Sequence, residues 1–282
     1  MIVTTISDGF GNQLFMYAAG YALAKRLGVP LWLETSRPET DPLREYELGK
    51  LTIECGRVLS VKGLRWRPLM KAVGKMRRSR LKARMHFFRE KEPFTYDGEL
   101  LRQPDGTFLH GFWQNHRYFH GHRATLRRLF SPRVPLGAEH DAWRQRIDAA
   151  ADSVSVHVRR GDYVGIGCAL SAAYYRTAVQ RMRERHPGCT LFVFSDDAAY
   201  ARELFAGMGV PFTLVQAESP EPTLSDFFLM SRCRHHIIAN SSYSWWAAYL
   251  GADDATVIAP LLPPWTPDFP LPEWEVIPAE RC

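Results

Sequence analysis

The second half of this 282-residue chain alternates short apolar runs with stretches of helical periodicity, and that alternation leaves few architectures open. The apolar runs lie at residues 153–159, 190–195, 210–216, 236–239 and 256–259. Between them, helical spacing spans about 171–186, 198–208, 223–233 and 242–250. Pro187-Gly188 ends the first of these helices and Gly251 follows the last. Parallel strands need long crossovers, usually helices, so the pattern predicts parallel βαβ units. The fold class is α/β, with a Rossmann-like domain over 151–282.

The first half opens in a related way. Residues 2–6 form a β-branched run, and Ser7-Asp8-Gly9-Phe10-Gly11-Asn12 reads as a turn cluster. From Leu14, apolar residues recur on one helical face until Gly28 and Pro30, and residues 30–34 read as a second strand. Residues 1–150 are therefore expected to form a second α/β domain. Its middle is less regular, with a basic run at 62–91 and an apolar-aromatic patch at 107–119. The proline-rich tail, 260–278, reads as irregular chain on the surface, packing back on the first domain.

Composition, 46% hydrophobic and 23% charged, is that of a globular chain of one large or two medium domains. The net charge of +6 is local: residues 62–91 hold 12 Lys/Arg against one acid, Glu90, and the other 24 basic and 29 acidic residues leave the rest at −5. This run, with a modest apolar stripe at Leu69, Val73 and Met76, suits a solvated helix face or weak peripheral contact with anionic lipid. No motif of nucleic-acid recognition accompanies it. The five cysteines are scattered without metal-ligand or disulfide-framework spacing. No signal-peptide pattern and no apolar run of about 18 residues appears. The expected setting is cytoplasmic, peripheral on the inner membrane face if the basic run engages lipid.

In open parallel sheets, ligands bind beyond the carboxyl ends of the strands. Three such ends carry unusual residues: His157, Arg159, Arg160 and Asp162; Ser195-Asp196-Asp197; and Asn240-Ser241-Ser242. Arginine forks suit phosphate, serines and an asparagine at a helix start add backbone N–H groups, and an aspartate can read a guanine edge. Each group alone has a plainer reading as a cap, a surface pair or a core histidine; together they describe a nucleotide diphosphate site. No GxxxxGK[ST] is present, which disfavours an ordinary NTPase. Adjacent carboxylates at a helix start diverge, which disfavours a metal at Asp196-Asp197.

HVRRGDYV, LSAAYY, FVFSDD and LMSRCRHHIIANSSYSWWAAYL, in that order, resemble the bacterial α-1,2-fucosyltransferase family. GFGNQLFMYAAGYALA at residues 9–24, GFWQNHRYF at 111–119 and VIAPLLPPW at 257–265 resemble its N-terminal, middle and closing motifs. Residues 36–105 show no match. The resemblance implies a GT-B-type enzyme, with two Rossmann-like domains facing a cleft. It implies inverting transfer of L-fucose from GDP-β-L-fucose to the 2-hydroxyl of a terminal β-galactoside, with no bound metal or other cofactor.

By the same resemblance, Arg159 stabilises the donor β-phosphate and His157 lies near the donor. Asn12, beside Gly11, reaches fucose or phosphate. Ser195 and Asp196 or Asp197 serve the guanine side, and Asn240, Ser241 and Ser242 meet the phosphates. Gln114 and Trp113 stand on the acceptor side. Asp8 occupies a position where the family usually has glycine; pointed inward it would weaken donor binding or serve the acceptor hydroxyl. Asp162, just past the arginines, is either the general base or an orienter of Arg159 or Arg160. A fucosyltransferase of the same fold with another linkage, a non-catalytic GDP-sugar or glycan-binding protein, and a metal-dependent transferase are the rival readings.

Overall fold

Strand β1, Ile2–Thr5, is buried along its whole length, as a β-branched run in the middle of a sheet should be. Helix α1 follows at Phe10–Leu27, then β2, Leu31–Glu34, and β3, Arg57–Leu59. After them come β4, His86–Arg89, and β5, Thr107–His110. All pair in parallel in the order β3-β2-β1-β5-β4. The sequence predicts helix onset near Leu14, but α1 starts at Phe10, so Gly11 and Asn12 lie in its first turn. The N–H groups of Asn12 and Gln13 both donate to the Gly9 carbonyl, at 2.9 and 3.1 Å.

The computed structural model describes residues 1–36, 44–59, 86–263, 265 and 267–282. These divide into two units, Met1–Arg133 and Val134–Cys282. Most of the basic run, including Leu69, Val73 and Met76, lies outside the described residues; its last part forms β4, a strand and not a helix. Among the described residues, no helix is long and apolar enough to cross a membrane.

After α2, Arg123–Leu129, the second unit begins with α3, Ala138–Ala149. Then come β6, Ser153–Val158; α4, Gly161–Gly165; α5, Ala172–Arg185; β7, Thr190–Ser195; and α6, Ala198–Met208. The chain continues with β8, Thr213–Leu214; α7, Pro222–Arg232; β9, His235–Ile237; α8, Ser242–Leu250; β10, Val257–Leu261; and β11, Glu275–Pro278. Helix α3, which the sequence reading left with residues 1–150, packs on α7, with His140 Nδ1 3.0 Å from Ser225 Oγ.

The second sheet is parallel throughout, ordered β11-β10-β9-β6-β7-β8. Counted from its own first strand, this is the 3-2-1-4-5-6 order of the Rossmann fold, and its direction of winding reverses between β6 and β9. Strand β6 is buried at all six positions, because helices cover both faces of such a sheet.

The end of the tail is a strand, not irregular chain. Residues 275–278 extend the second sheet as β11 on β10, and Leu170 bridges Arg281. Trp245 on α8 explains the anchoring. It is fully buried, stacks on Tyr249 at 4.9 Å between centroids, and donates its Nε1–H to the Phe269 carbonyl at 3.0 Å. A helix apolar all round must be covered on all sides, and the tail covers it.

Candidate active site

The reversal point between β6 and β9 is where an open α/β sheet leaves a crevice, and the polar residues of the second unit gather there. Arg159 leaves the end of β6. Its Nη1 lies 2.6 Å from Asp196 Oδ2 and its Nη2 2.5 Å from Asp162 Oδ1. Its guanidinium stands 5.2 Å from the Tyr163 ring centroid. Two of its five N–H donors are thus spoken for, and the side chain keeps 26% of its surface exposed. Arg160 turns the other way: its Nε donates to Asp197 Oδ2 at 3.2 Å, and its guanidinium covers the Tyr200 ring at 3.6 Å.

Asp196 and Asp197 are both engaged by their neighbours. Asp196 Oδ1 accepts the backbone N–H groups of Arg160 and Gly161 at 2.8 and 3.1 Å, while its Oδ2 holds Arg159. The close approach needs glycine at 161, where a Cβ would sit 2.7 Å from Asp196 Oδ2. Asp197 caps α6, accepting the Tyr200 N–H at 3.0 Å, and holds Arg160. Ser195 closes the same turn: its hydroxyl donates to the Val158 carbonyl at 2.8 Å and accepts the Asp197 N–H at 3.0 Å. These carboxylates therefore fix the arginines.

His157 is 6% exposed, and its Nδ1 has no hydrogen-bond partner among the described residues. Burial, with Arg159 second, pushes its pKa down to about 3, so the ring is neutral at physiological pH. Tyr243 of α8 lies 5.6 Å from it, and Phe227 of α7 lies 5.5 Å from Tyr243.

Ser241 caps α8 by accepting the Tyr243 N–H at 3.3 Å, and Ser242 is its first helical residue. Asn240 donates from Nδ2 to the Cys168 carbonyl at 2.8 Å, which leaves its Oδ1 buried and without a partner among the described residues.

The sequence reading missed Asp226. It lies on α7 beside Phe227, half-buried, with no partner among the described residues, and burial pushes its carboxyl up to about 6. In TLSDFFLMSRC it occupies a polar slot of an amphipathic helix, where it reads as a surface charge.

In the first unit, Asn12 and Gln114 come together at the corresponding reversal point, between β1 and β5. Gln114 Nε2 donates to Asn12 Oδ1 at 2.9 Å. Asp8 takes a left-handed φ of 64°. Its carbonyl accepts Gln13 Nε2 at 2.8 Å, and the fully buried Gln13 also ties the Glu45 carbonyl at 2.6 Å and the Glu47 N–H at 3.0 Å. Gly11 is buried in the first turn of α1, and Trp113 is wholly buried.

Among the described residues, Asp152, His186 and His235 bring potential metal-ligand atoms within 4.8 Å of one another. They lie at the opposite end of the sheet, where β6 and β9 begin. His235 Nδ1 accepts the Thr256 N–H at 3.0 Å, so its proton sits on Nε2 and no lone pair there faces a cation. The rings of His186 and His235 stack at 3.8 Å, which also keeps their nitrogens from converging. The cluster reads as support for the strand starts.

Comparison with known proteins matches this arrangement to sugar transferases. The chain is 33% identical to an α-1,2-colitosyltransferase of Escherichia coli over 280 residues, covering 94% of this chain and 92% of that protein. It is 31% identical to galactoside alpha-(1,2)-fucosyltransferase 1 of Leontocebus fuscicollis, covering 97% and 70%. Among solved structures, fucosyltransferase NodZ from Bradyrhizobium superposes with a TM-score of 0.53 at 16% identity, over 89% of this chain and 92% of that one. That likeness shows the GT-B-type fold class, with two Rossmann-like units. The model of Glycosyl transferase family 11 matches residues 78–269, a span running from β4 through the whole crevice of the second sheet to the cover of α8, and this chain belongs to that family, the family of the α-1,2-fucosyltransferases.

Proposed function

We propose that this family 11 glycosyltransferase moves L-fucose from GDP-β-L-fucose to the 2-hydroxyl of a terminal β-galactoside, giving Fucα1-2Gal with inversion. The observation that carries the reading is Arg159, held between Asp162 and Asp196 at the reversal point of a Rossmann sheet. A fixed guanidinium there stabilises the diphosphate as negative charge grows on the departing GDP. The start of α8, with Asn240, Ser241 and Ser242, adds backbone N–H groups and a positive dipole end for the phosphates. With Asp196 and Asp197 engaged by the arginines, the carboxylate left for guanine N1–H and N2–H is Asp226, and the unpartnered His157 Nδ1 is a second polar group for the nucleoside. Asn12, with Gly11 at its side, and Gln114 serve the sugars; Asp8 and Trp113 shape that part of the first unit.

The 33% identity to a colitosyltransferase favours a second donor, since colitose is fucose without its 3-hydroxyl. Metal independence is part of the proposal: the fixed Arg159 guanidinium stands where a cation meets the leaving diphosphate elsewhere. So is peripheral membrane contact through residues 62–91 on the cytoplasmic face, which sedimentation with anionic vesicles at physiological salt tests.

The deciding experiment is turnover of GDP-fucose and GDP-colitose with a panel of β-galactosides in EDTA, with product linkage read by NMR. Fucα1-2Gal establishes the reading. Transfer of colitose alone changes the donor, an EDTA-sensitive rate restores a metal, and GDP binding without transfer to any acceptor returns the chain to a binding role.

A further inference from the structure

Glu90 is the single acidic residue of the basic run, and the proposed function leaves it without a task. It stands just past β4, where Arg89 pairs with His110 and the Glu90 N–H donates to the His110 carbonyl at 3.0 Å. Its carboxylate then takes the next two amides beyond Gly111. Oε2 accepts the Phe112 N–H at 2.8 Å, and Oε1 accepts the Trp113 N–H at 2.9 Å. Gly111 makes room: a Cβ there would lie 2.4 Å from Glu90 Cβ and 2.9 Å from Oε2.

Trp113 is fully buried and left-handed, with φ of 54°, a backbone conformation that a bulky residue keeps only when its surroundings impose it. Two charge-assisted bonds from one carboxylate are such an imposition. The ring then packs flat on Phe88 of β4 at 5.7 Å. The next residue is Gln114, 7% exposed, whose Nε2 meets Asn12 Oδ1. Burial raises the Glu90 pKa while the two N–H bonds lower it, so the carboxylate is held in a partly dry place by the turn it organises.

We propose that Glu90 is a positioning residue for sugar transfer: it locks the turn at 111–114 so that Gln114 sets the orientation of the Asn12 amide. The inference rests on the assignment of Asn12 and Gln114 to the sugar substrates.

Glu90→Gln is the informative variant, because it is nearly isosteric and keeps one acceptor while turning an NH2 group toward the second amide. Gln114→Ala and the double variant complete a cycle. Four quantities are measured for each: kcat, KM, the Kd for GDP, and hydrogen exchange of the Phe112 and Trp113 amides. Glu90→Gln is expected to lower kcat at least tenfold and to speed exchange at both amides. The Kd for GDP is expected to stay within twofold, since Arg159, Arg160 and α8 belong to the second unit. In the Gln114→Ala background, Glu90→Gln is expected to cost little more. An unchanged kcat, additive losses in the cycle, or a GDP affinity that falls with kcat overturns the proposal. If the wild type transfers sugar and Glu90→Gln behaves like it, this inference alone fails; if the wild type transfers none, the proposed function fails and takes this inference with it.

Discussion

Asp226 offers a test that needs no substrate. Burial lifts its carboxyl from the ordinary 3.8 to about 6, a gap of roughly two units, or about 3 kcal/mol at 1.36 kcal/mol per unit. The side chain is half-buried, so solvent takes part of that back, leaving about 1–3 kcal/mol. The sign follows from proton binding: the native state holds this proton more tightly than the unfolded chain does. Below about pH 4 both states are protonated and the group costs nothing. As pH rises through about 4 to 6 stability is lost, and above 6 the cost is fully present. Asp226→Asn removes the ionisation. The melting temperature of the variant, relative to the parent, should be near zero offset at pH 4 and about 3–8 °C higher at pH 7.5. Scanning calorimetry of both proteins at several pH values measures it. An offset independent of pH, or a variant less stable at pH 7.5, would refute the reasoning, since either means that desolvation is not what raises the carboxyl. On the proposed function the same change weakens GDP binding, because an amide meets the two guanine donors with only one acceptor. A substitution that stabilises the fold and weakens the ligand is the pattern expected of a binding residue.

Three further outcomes follow from the crevice. Arg159→Ala should abolish transfer; retention of more than about a tenth of the wild-type kcat/KM, a loss under ~1.4 kcal/mol, removes its assigned role. Gly161→Ala drives a Cβ toward Asp196 Oδ2 and should cost at least tenfold in kcat/KM by displacing Arg159, with wild-type rates counting against the clamp. His157 is neutral down to about pH 3 in the folded state but titrates near 6.5 when unfolded, so stability is lost as pH falls below 6.5. His157→Phe should shift the acid-unfolding midpoint to lower pH, and an unchanged midpoint contradicts a neutral buried ring.

The second sheet was legible because its strands are apolar at nearly every position and its helices carry clear stops. Thr213–Leu214 is much shorter than the run at 210–216 that suggested it, since the edge of a sheet offers pairing on one side only. Strand β11 escapes a local reading because the prolines before it signal irregular chain, and the cover of Trp245 depends on contacts that no local pattern encodes. The site shows the same division. Residue types at the strand ends mark where the polar side chains gather, but not which carboxylates are already engaged. Asp196 and Asp197 look available in the sequence and are bonded in the structure, and Asp226 looks like a surface charge and is half-buried without a partner among the described residues. Partnership is a tertiary property, and it decides which charges remain for a ligand.

That principle bears on Asp162, for which the sequence leaves base and orienter equally open. In the crevice, two arginines face three aspartates, so the free site carries no excess positive charge from these side chains. On the proposed function, its attraction for a diphosphate lies in preorganisation: an arginine already held in place loses little side-chain freedom when the donor arrives. Asp162 contributes to that by accepting from Arg159 Nη2 at 2.5 Å. An orienter and a base respond differently to substitution. Asparagine keeps an oxygen that accepts from Arg159 but cannot take a proton from the acceptor hydroxyl. If Asp162 orients, Asp162→Asn should retain kcat within about tenfold of the wild type, with Asp162→Ala clearly worse. If it is the base, the two variants should fall together, by the 10²–10⁴ that general-base catalysis contributes. The ion pair with Arg159 leads us to expect the first outcome, and equal, deep losses in both variants would make Asp162 the group that takes the proton.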